Sequence, residues 1–285
     1  MTQLDQFEER VSVNGAELWT TTSGEGSGLV LLHGGPGMSD NLEPLSEMLR
    51  DLSTVHRFDQ RACGRSNGNS QSQSVESAVD DLELLRIHWN HEKWIVGGHS
   101  WGAALSIFYA LTYPKRVQAL LYISGPPFAP LNVKSKAKPR MDRLSELELC
   151  EFRSNSNQND SEAVRRNNHL IWKTDYSDLQ KIPDFNVNPT YQYPRNPIVA
   201  DGLSKSASER ISNREVFEEI KQLNFPILIM HGRDDPLPVE GALALSSILR
   251  QPTISIIEGV GHLVWKEDQV STKNILRNFV KSNLI

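Results

Sequence analysis

The sequence predicts an α/β fold in which a mostly parallel central sheet carries helices on both faces and is interrupted by an inserted helical cap. Three observations predict it. Short apolar runs alternate with helical patterns up to residue 124; the alternation stops at Gly125-Pro126-Pro127 and resumes near Glu215; and glycine-rich and histidine-bearing loops fall at the ends of the apolar runs. Residues 10–13 and 18–22 flank Asn14-Gly15, a pair that tolerates φ > 0 and so predicts a tight hairpin. The run 28–32 follows as a strand, then a helical pattern over 42–52, a strand at 54–58 and a helix over 75–89. Strand 94–98, helix 103–113 and strand 117–124 complete the first half. After residue 213 come a helix at 215–223, strand 226–230, helix 239–249, strand 253–257 and a last helix over 266–280.

The domain division follows from the same break. Residues 1–125 and 214–285 form the sheet domain, and 126–213 form the cap, a polar stretch containing SNSNQNDS and four scattered prolines at 183, 189, 194 and 197. A structureless loop of that length is uncommon inside a compact domain, which favours helices.

Composition excludes several function classes. Among 285 residues, 38% are hydrophobic and 23% charged, too mixed for a disordered or fibrous chain. A net charge of -5 argues against a broad nucleic-acid or anionic-membrane footprint, and the basic run Lys134–Arg140 is too short to overturn that. Two cysteines, Cys63 and Cys150, make no disulfide framework and no metal-ligand spacing. The polar, acidic start has no secretory pattern, so the expected location is the cytoplasm. The expected partner is a small molecule or short peptide, with no nucleic acid, membrane, metal or cofactor implied.

Chemistry enters at Gly98-His99-Ser100-Trp101-Gly102, a G-x-S-x-G match between an apolar strand and a helix. Such a turn presents a nucleophile on strained backbone, with small residues two before and two after it so that strand and helix can approach. A serine hydroxyl needs a base to take its proton, and on this arrangement an acid and then a histidine should follow in the chain. The strand at 226–230 runs into HGRDDP and the strand at 253–257 into EGVGH, which nominates Asp235 and His262, with Asp234 the rival acid. An oxyanion hole needs the N–H of the residue after the nucleophile, Trp101, and one from the glycine loop His33–Gly37, where Gly35 is the candidate. His33 and Gly34 are candidate substrate contacts. That loop lacks the Lys-Ser/Thr of a phosphate loop; Gly24-x-Gly26-x-Gly28 leads into a strand, not a helix; and nothing matches HExxH.

These motifs together resemble the proline iminopeptidase (prolyl aminopeptidase) family of α/β-hydrolases. HGGPG at 33–37, GGHSWG at 97–102, HGRDD and GVGHL fit its pattern, and Asp59-Gln60-Arg61-Ala62-Cys63-Gly64-Arg65-Ser66 is similar to its DQRGxGxS segment with Ala62 where glycine is usual. The resemblance implies an α/β-hydrolase fold, a cofactor-free serine hydrolase, Ser100 as nucleophile with Asp235 and His262, an oxyanion hole at Gly35 and Trp101, and substrates with a free N-terminus. It also implies cap carboxylates that hold the substrate amino group. Glu146, Glu148, Glu151, Glu162, Asp175, Asp178, Asp201 and Glu209 are available, and none is assigned. A carboxylesterase, amidase or lactonase of the same fold is the alternative within enzymes, and a non-catalytic ligand receptor the alternative outside them.

Overall fold

Strand propensity and burial produce one sheet whose two faces are both apolar. The computed structural model describes residues 6–71, 73–128, 138–156, 158, 160–184 and 193–284. Part of the basic run at 134–140, Pro189, and residues 157 and 159 of SNSNQNDS therefore lie outside the described residues. Among the described residues the strands are β1 (Phe7–Val13), β2 (Ala16–Ser23), β3 (Gly28–Leu32), β4 (Thr54–Phe58), β5 (Trp94–His99), β6 (Val117–Ile123), β7 (Ile227–Gly232) and β8 (Pro252–Ile257), joined in the order β1-β2-β4-β3-β5-β6-β7-β8. β1 and β2 pair antiparallel through Asn14 and Gly15, both at positive φ (46° and 73°), and β2 pairs antiparallel with β4. From β4 through β8 every pairing is parallel.

Alternate side chains along the central strands enter opposite cores. Val30, Val96, Leu120, Tyr122 and Ile229 face one; Leu29, Ile95, Leu121, Ile123 and Met230 face the other. The first core is covered by α2 (Val75–His88), α3 (Trp101–Thr112), α7 (Glu215–Ile220) and α8 (Val239–Ile248), the second by α1 (Glu43–Leu49), α9 (Val264–Glu267) and α10 (Gln269–Lys281). Every residue of α3 from Trp101 to Ala110 is buried, so this helix is apolar all round and sits inside the molecule. Truncating one of its large side chains to Ala should cost about 2–5 kcal/mol.

The single helix expected over 266–280 is two. Asp268 takes an extended backbone (φ -135°), and its carboxylate accepts the N–H of Ser271 at 2.9 Å, so a capping residue restarts the helix at Gln269. Between β6 and α7 the described residues contain α4 (Glu146–Ser156), α5 (Ser161–Lys173) and α6 (Pro197–Ser212) and no strand. α6 reaches the first core through Val199, Leu203 and Ala207, whereas no residue of α4 is buried.

Candidate active site

The C-terminal ends of β3, β5, β7 and β8 gather the singled-out residues at one edge of the sheet, where open α/β sheets collect their sites. Ser100 follows β5 and precedes α3 with φ 55° and ψ -117°, a positive φ at a residue that carries a Cβ. Its neighbours explain how the turn is tolerated. A Cβ on Gly98 would collide with the carbonyl of Gly102, and one on Gly102 with the carbonyl of Leu32, so strand, helix and the loop after β3 close only with glycine at both positions. The N–H of Trp101 opens α3 and has no intrahelical partner by position.

Asp235 and His262 meet. The Nδ1–H of His262 donates to the Asp235 carboxylate at 2.9 and 3.0 Å, and both side chains are buried. Asp235 therefore fixes the tautomer, leaving Nε2 of His262 as the free acceptor. Burial pushes the Asp235 carboxyl up, but the charge and hydrogen bond of His262, the nearby His231 and the N–H of Leu237 outweigh it and hold the group below its ordinary value of 3.8. His231 donates Nε2–H to the carbonyl of Leu237 at 2.9 Å, with the same nitrogen 3.4 Å from Asp235 Oδ2. The rival Asp234 is exposed, and its carboxylate accepts the hydroxyl of Ser177 at 3.0 Å.

Ser100 and His262 line one cavity of about 480 Å³, together with Gly34, Gly35 and Trp101. The expectation that His33 touches substrate is not met. His33 is fully buried and absent from the lining; its Nε2 accepts the N–H of Gln60 at 3.0 Å and its Nδ1–H donates to the carbonyl of Gly34 at 2.8 Å, so it holds the glycine loop from behind. Gln60 completes that support, donating to the His33 carbonyl at 3.0 Å and accepting the indole N–H of Trp101 at 2.9 Å. The Asp-Gln-Arg segment marked its position in the sequence but not this bridging role.

Three more residues support the site, of which only His99, inside the Gly98–Gly102 motif, lay in a segment that the sequence singled out. His99, fully buried by the protein around it, donates Nε2–H to the carbonyl of His262 at 3.0 Å, and desolvation keeps its ring neutral, well below the ordinary histidine value. Glu267 accepts the N–H groups of Ser177 (2.9 Å), Asp178 (2.8 Å) and Gly261 (2.6 Å), fastening the residue before His262 to the loop after α5. Arg143 donates to the carbonyls of Lys138, Thr174 and Asp234 at 2.9, 3.1 and 2.6 Å, fastening the acid loop to the same segment. The N–H of His262 adds a bond to the carbonyl of Asp175 at 2.7 Å.

Of the eight carboxylates proposed for amine recognition, Asp175 alone lines the cavity, and Arg140 holds its Oδ1 at 2.7 and 2.9 Å. Glu148 pairs with Lys173, Glu151 with Arg166 and Glu162 with Arg165. Asp178 caps the turn at Gln180, while Glu146, Asp201 and Glu209 are exposed.

Comparison with known proteins gives the same outline. A family model described as alpha/beta hydrolase fold matches residues 29–268. The proline iminopeptidase of Saccharolobus solfataricus is 27% identical over 271 residues, covering 90% of this chain and 86% of that protein. The proline iminopeptidase of Thermoplasma volcanium is 26% identical over 271 residues, covering 90% and 89%. Among solved structures, a serine hydrolase involved in carbazole degradation superposes with a TM-score of 0.76 at 20% identity, covering 98% of this chain and 100% of that one. An esterase from Thermogutta terrifontis superposes at 0.69 with 21% identity, covering 99% and 100%. The resemblance read from short motifs thus extends along the chain. No helix among the described residues is long and apolar enough to cross a membrane.

Proposed function

The chain belongs to the α/β-hydrolase fold family, and on that premise we propose that it is a serine hydrolase of the proline iminopeptidase type, releasing the N-terminal residue of short peptides through an acyl-enzyme. In this reading Ser100 Oγ attacks the carbonyl carbon while His262 Nε2 takes its proton. Asp235 stabilises the imidazolium that forms, and the N–H groups of Trp101 and Gly35 receive the oxyanion. His262 then returns the proton to the leaving amine, and water repeats the sequence in reverse roles to free the acid and Ser100. Residues 1–125 and 214–285 supply this chemistry, and 126–213 cap the cavity over it.

The observation that carries the reading is the Asp235–His262 pair at 2.9 Å opening onto the cavity that Ser100 lines. Ser100→Ala should abolish labelling by a fluorophosphonate and lower turnover by about 10⁴-fold or more. Undiminished labelling of that variant would sink the assignment. Prolyl, alanyl and leucyl dipeptides compared with short acyl esters then test the substrate class; cleavage of the esters alone would move the protein to the esterases.

A further inference from the structure

We infer that the active-site cavity selects substrates that carry a carboxylate away from the scissile bond, received by Arg195 at the cavity mouth. The inference deepens the proposed function and rests on its assignment of the cavity around Ser100 as the active site.

Among the described residues, the charges lining the cavity are Arg140, Asp175 and Arg195. The first two cancel, since both Nε and a terminal nitrogen of Arg140 lie on Asp175. Arg195 is left over. Its Nε–H donates to the carbonyl of Pro36 at 3.0 Å, in the glycine loop itself, and it makes no ion pair with another described residue. Asp201, exposed on α6, is the acid whose charge reaches it. Packing around the guanidinium draws its pKa below the ordinary arginine value against that charge, the direction expected of a cation lacking a carboxylate of its own. The stretches 129–137 and 185–192, outside the described residues, contain no Asp or Glu.

Arg195 is itself exposed, at the edge of a wall that is otherwise largely apolar, with Met38, Ile171, Trp172, Ile211 and Leu263, so a substrate carboxylate reaching that edge meets a cation with no ion pair among the described residues. With Nε held by Pro36, the two terminal nitrogens of Arg195 remain as a planar pair, a geometry that fits the two oxygens of a carboxylate. A dipeptide has such a group on its leaving residue; a peptide amide or an arylamide does not.

The test is a ratio, so a general loss of rate does not mimic it. kcat/KM is measured for prolylglycine against prolylglycinamide, and for the p-nitrophenyl monoester of adipic acid against p-nitrophenyl hexanoate, in the wild type, Arg195→Gln and Arg195→Lys. The anionic member should be preferred roughly tenfold or more in at least one pair, as charge-assisted bonding implies. Arg195→Gln should bring that ratio close to one, and Arg195→Lys should retain part of it. A ratio that Arg195→Gln leaves unchanged in both pairs overturns the proposal. Calorimetric titration of Ser100→Ala, with and without Arg195→Gln, by prolylglycine and by adipate separates the two readings. Arg195-dependent binding without wild-type turnover defeats the hydrolase reading and upholds the carboxylate site. Turnover with binding indifferent to Arg195 does the reverse, and the absence of both defeats both.

Discussion

The central sheet and the helical segment of α4 and α5 are held by different kinds of interaction. β3, β5, β6 and β7 bury side chains on both faces, and α3 is buried over ten successive residues, so the sheet domain rests on many interchangeable apolar contacts. α4 and α5 contribute little to either core, and the segment they belong to meets the loops bearing Asp235 and His262 through particular polar bonds: Arg143 to Asp234, Asp175 to His262, and Glu267 to Ser177, Asp178 and Gly261. The first kind of region tolerates substitution that preserves volume. The second depends on single side chains, so changes there should act on the site out of proportion to the area involved.

The largest expected effect lies where the two regions meet, in the loop bearing both candidate acids. Asp235→Asn should leave the geometry in place but, with Oδ1 held by the N–H of Leu237, present an amide N–H to His262 Nδ1 and favour the wrong tautomer, lowering kcat by about 10⁴-fold. Asp234→Asn should cost little in kcat, because Asp234 bonds Ser177 and not the imidazole. Steady-state kinetics on the best dipeptide checks the pair, and comparable losses in the two variants would break the assignment of the acid.

What could be read in advance follows the same division. The central strands were legible because burial on two apolar faces leaves a continuous hydrophobic run, as at Leu29–Leu32 and Ile227–Met230, and β1 and β2 because Asn14-Gly15 marks the turn between them. The candidates Ser100, Asp235 and His262 could be nominated because each lies in the loop just after a strand. The roles of Gln60, Arg143, Arg195 and Glu267 were not legible, because the bonds that tie them to the site loops span 27 to 159 residues and nothing local demands them. The helix break at Asp268 was missed for a related reason: apolar periodicity continues through it, and the capping bond that decides the matter carries only a weak sequence signal.

Glu267 offers the next largest effect and tests whether a polar tie governs the site. Glu267→Ala leaves three N–H groups without their acceptor and should destabilise by about 1–3 kcal/mol. kcat should fall roughly tenfold as Gly261 and His262 lose their anchor, an order of magnitude typical of small misplacements in a catalytic group. The carboxyl itself is raised above its ordinary 4.5, chiefly by burial, against the three N–H bonds and Lys181 that favour the anion. A raised folded-state value means that its contribution to stability is fully present below the unfolded value and is lost as pH rises through the folded one. The difference in Tm between Glu267→Gln and the wild type should therefore move in the variant's favour on going from pH 4 to pH 7. Movement in the opposite direction would show that the N–H bonds outweigh burial.

The smallest effect concerns the sheet side, where one residue departs from its regularity. Ala62 stands where the related family pattern has glycine and holds φ 55°, its N–H bonded to the carbonyl of Asn67 at 3.1 Å and its carbonyl accepting from Asn196 at 3.0 Å. A left-handed conformation costs a residue with a Cβ about 1–2 kcal/mol, and glycine's greater unfolded-state freedom returns about 0.5–1 kcal/mol of that. Ala62→Gly should accordingly stabilise the protein by no more than about 1 kcal/mol, a rise in Tm of roughly 2–4 °C at most for a chain of this size. A fall in Tm would mean that the Ala62 methyl, packed against the first core, contributes more than its backbone strain costs. The carbonyl of Ala62 receives its bond from the residue next to Arg195, so the same variant also reports whether that strain helps set the cavity mouth. An altered ratio of prolylglycine to prolylglycinamide cleavage with unchanged Tm would locate its effect there.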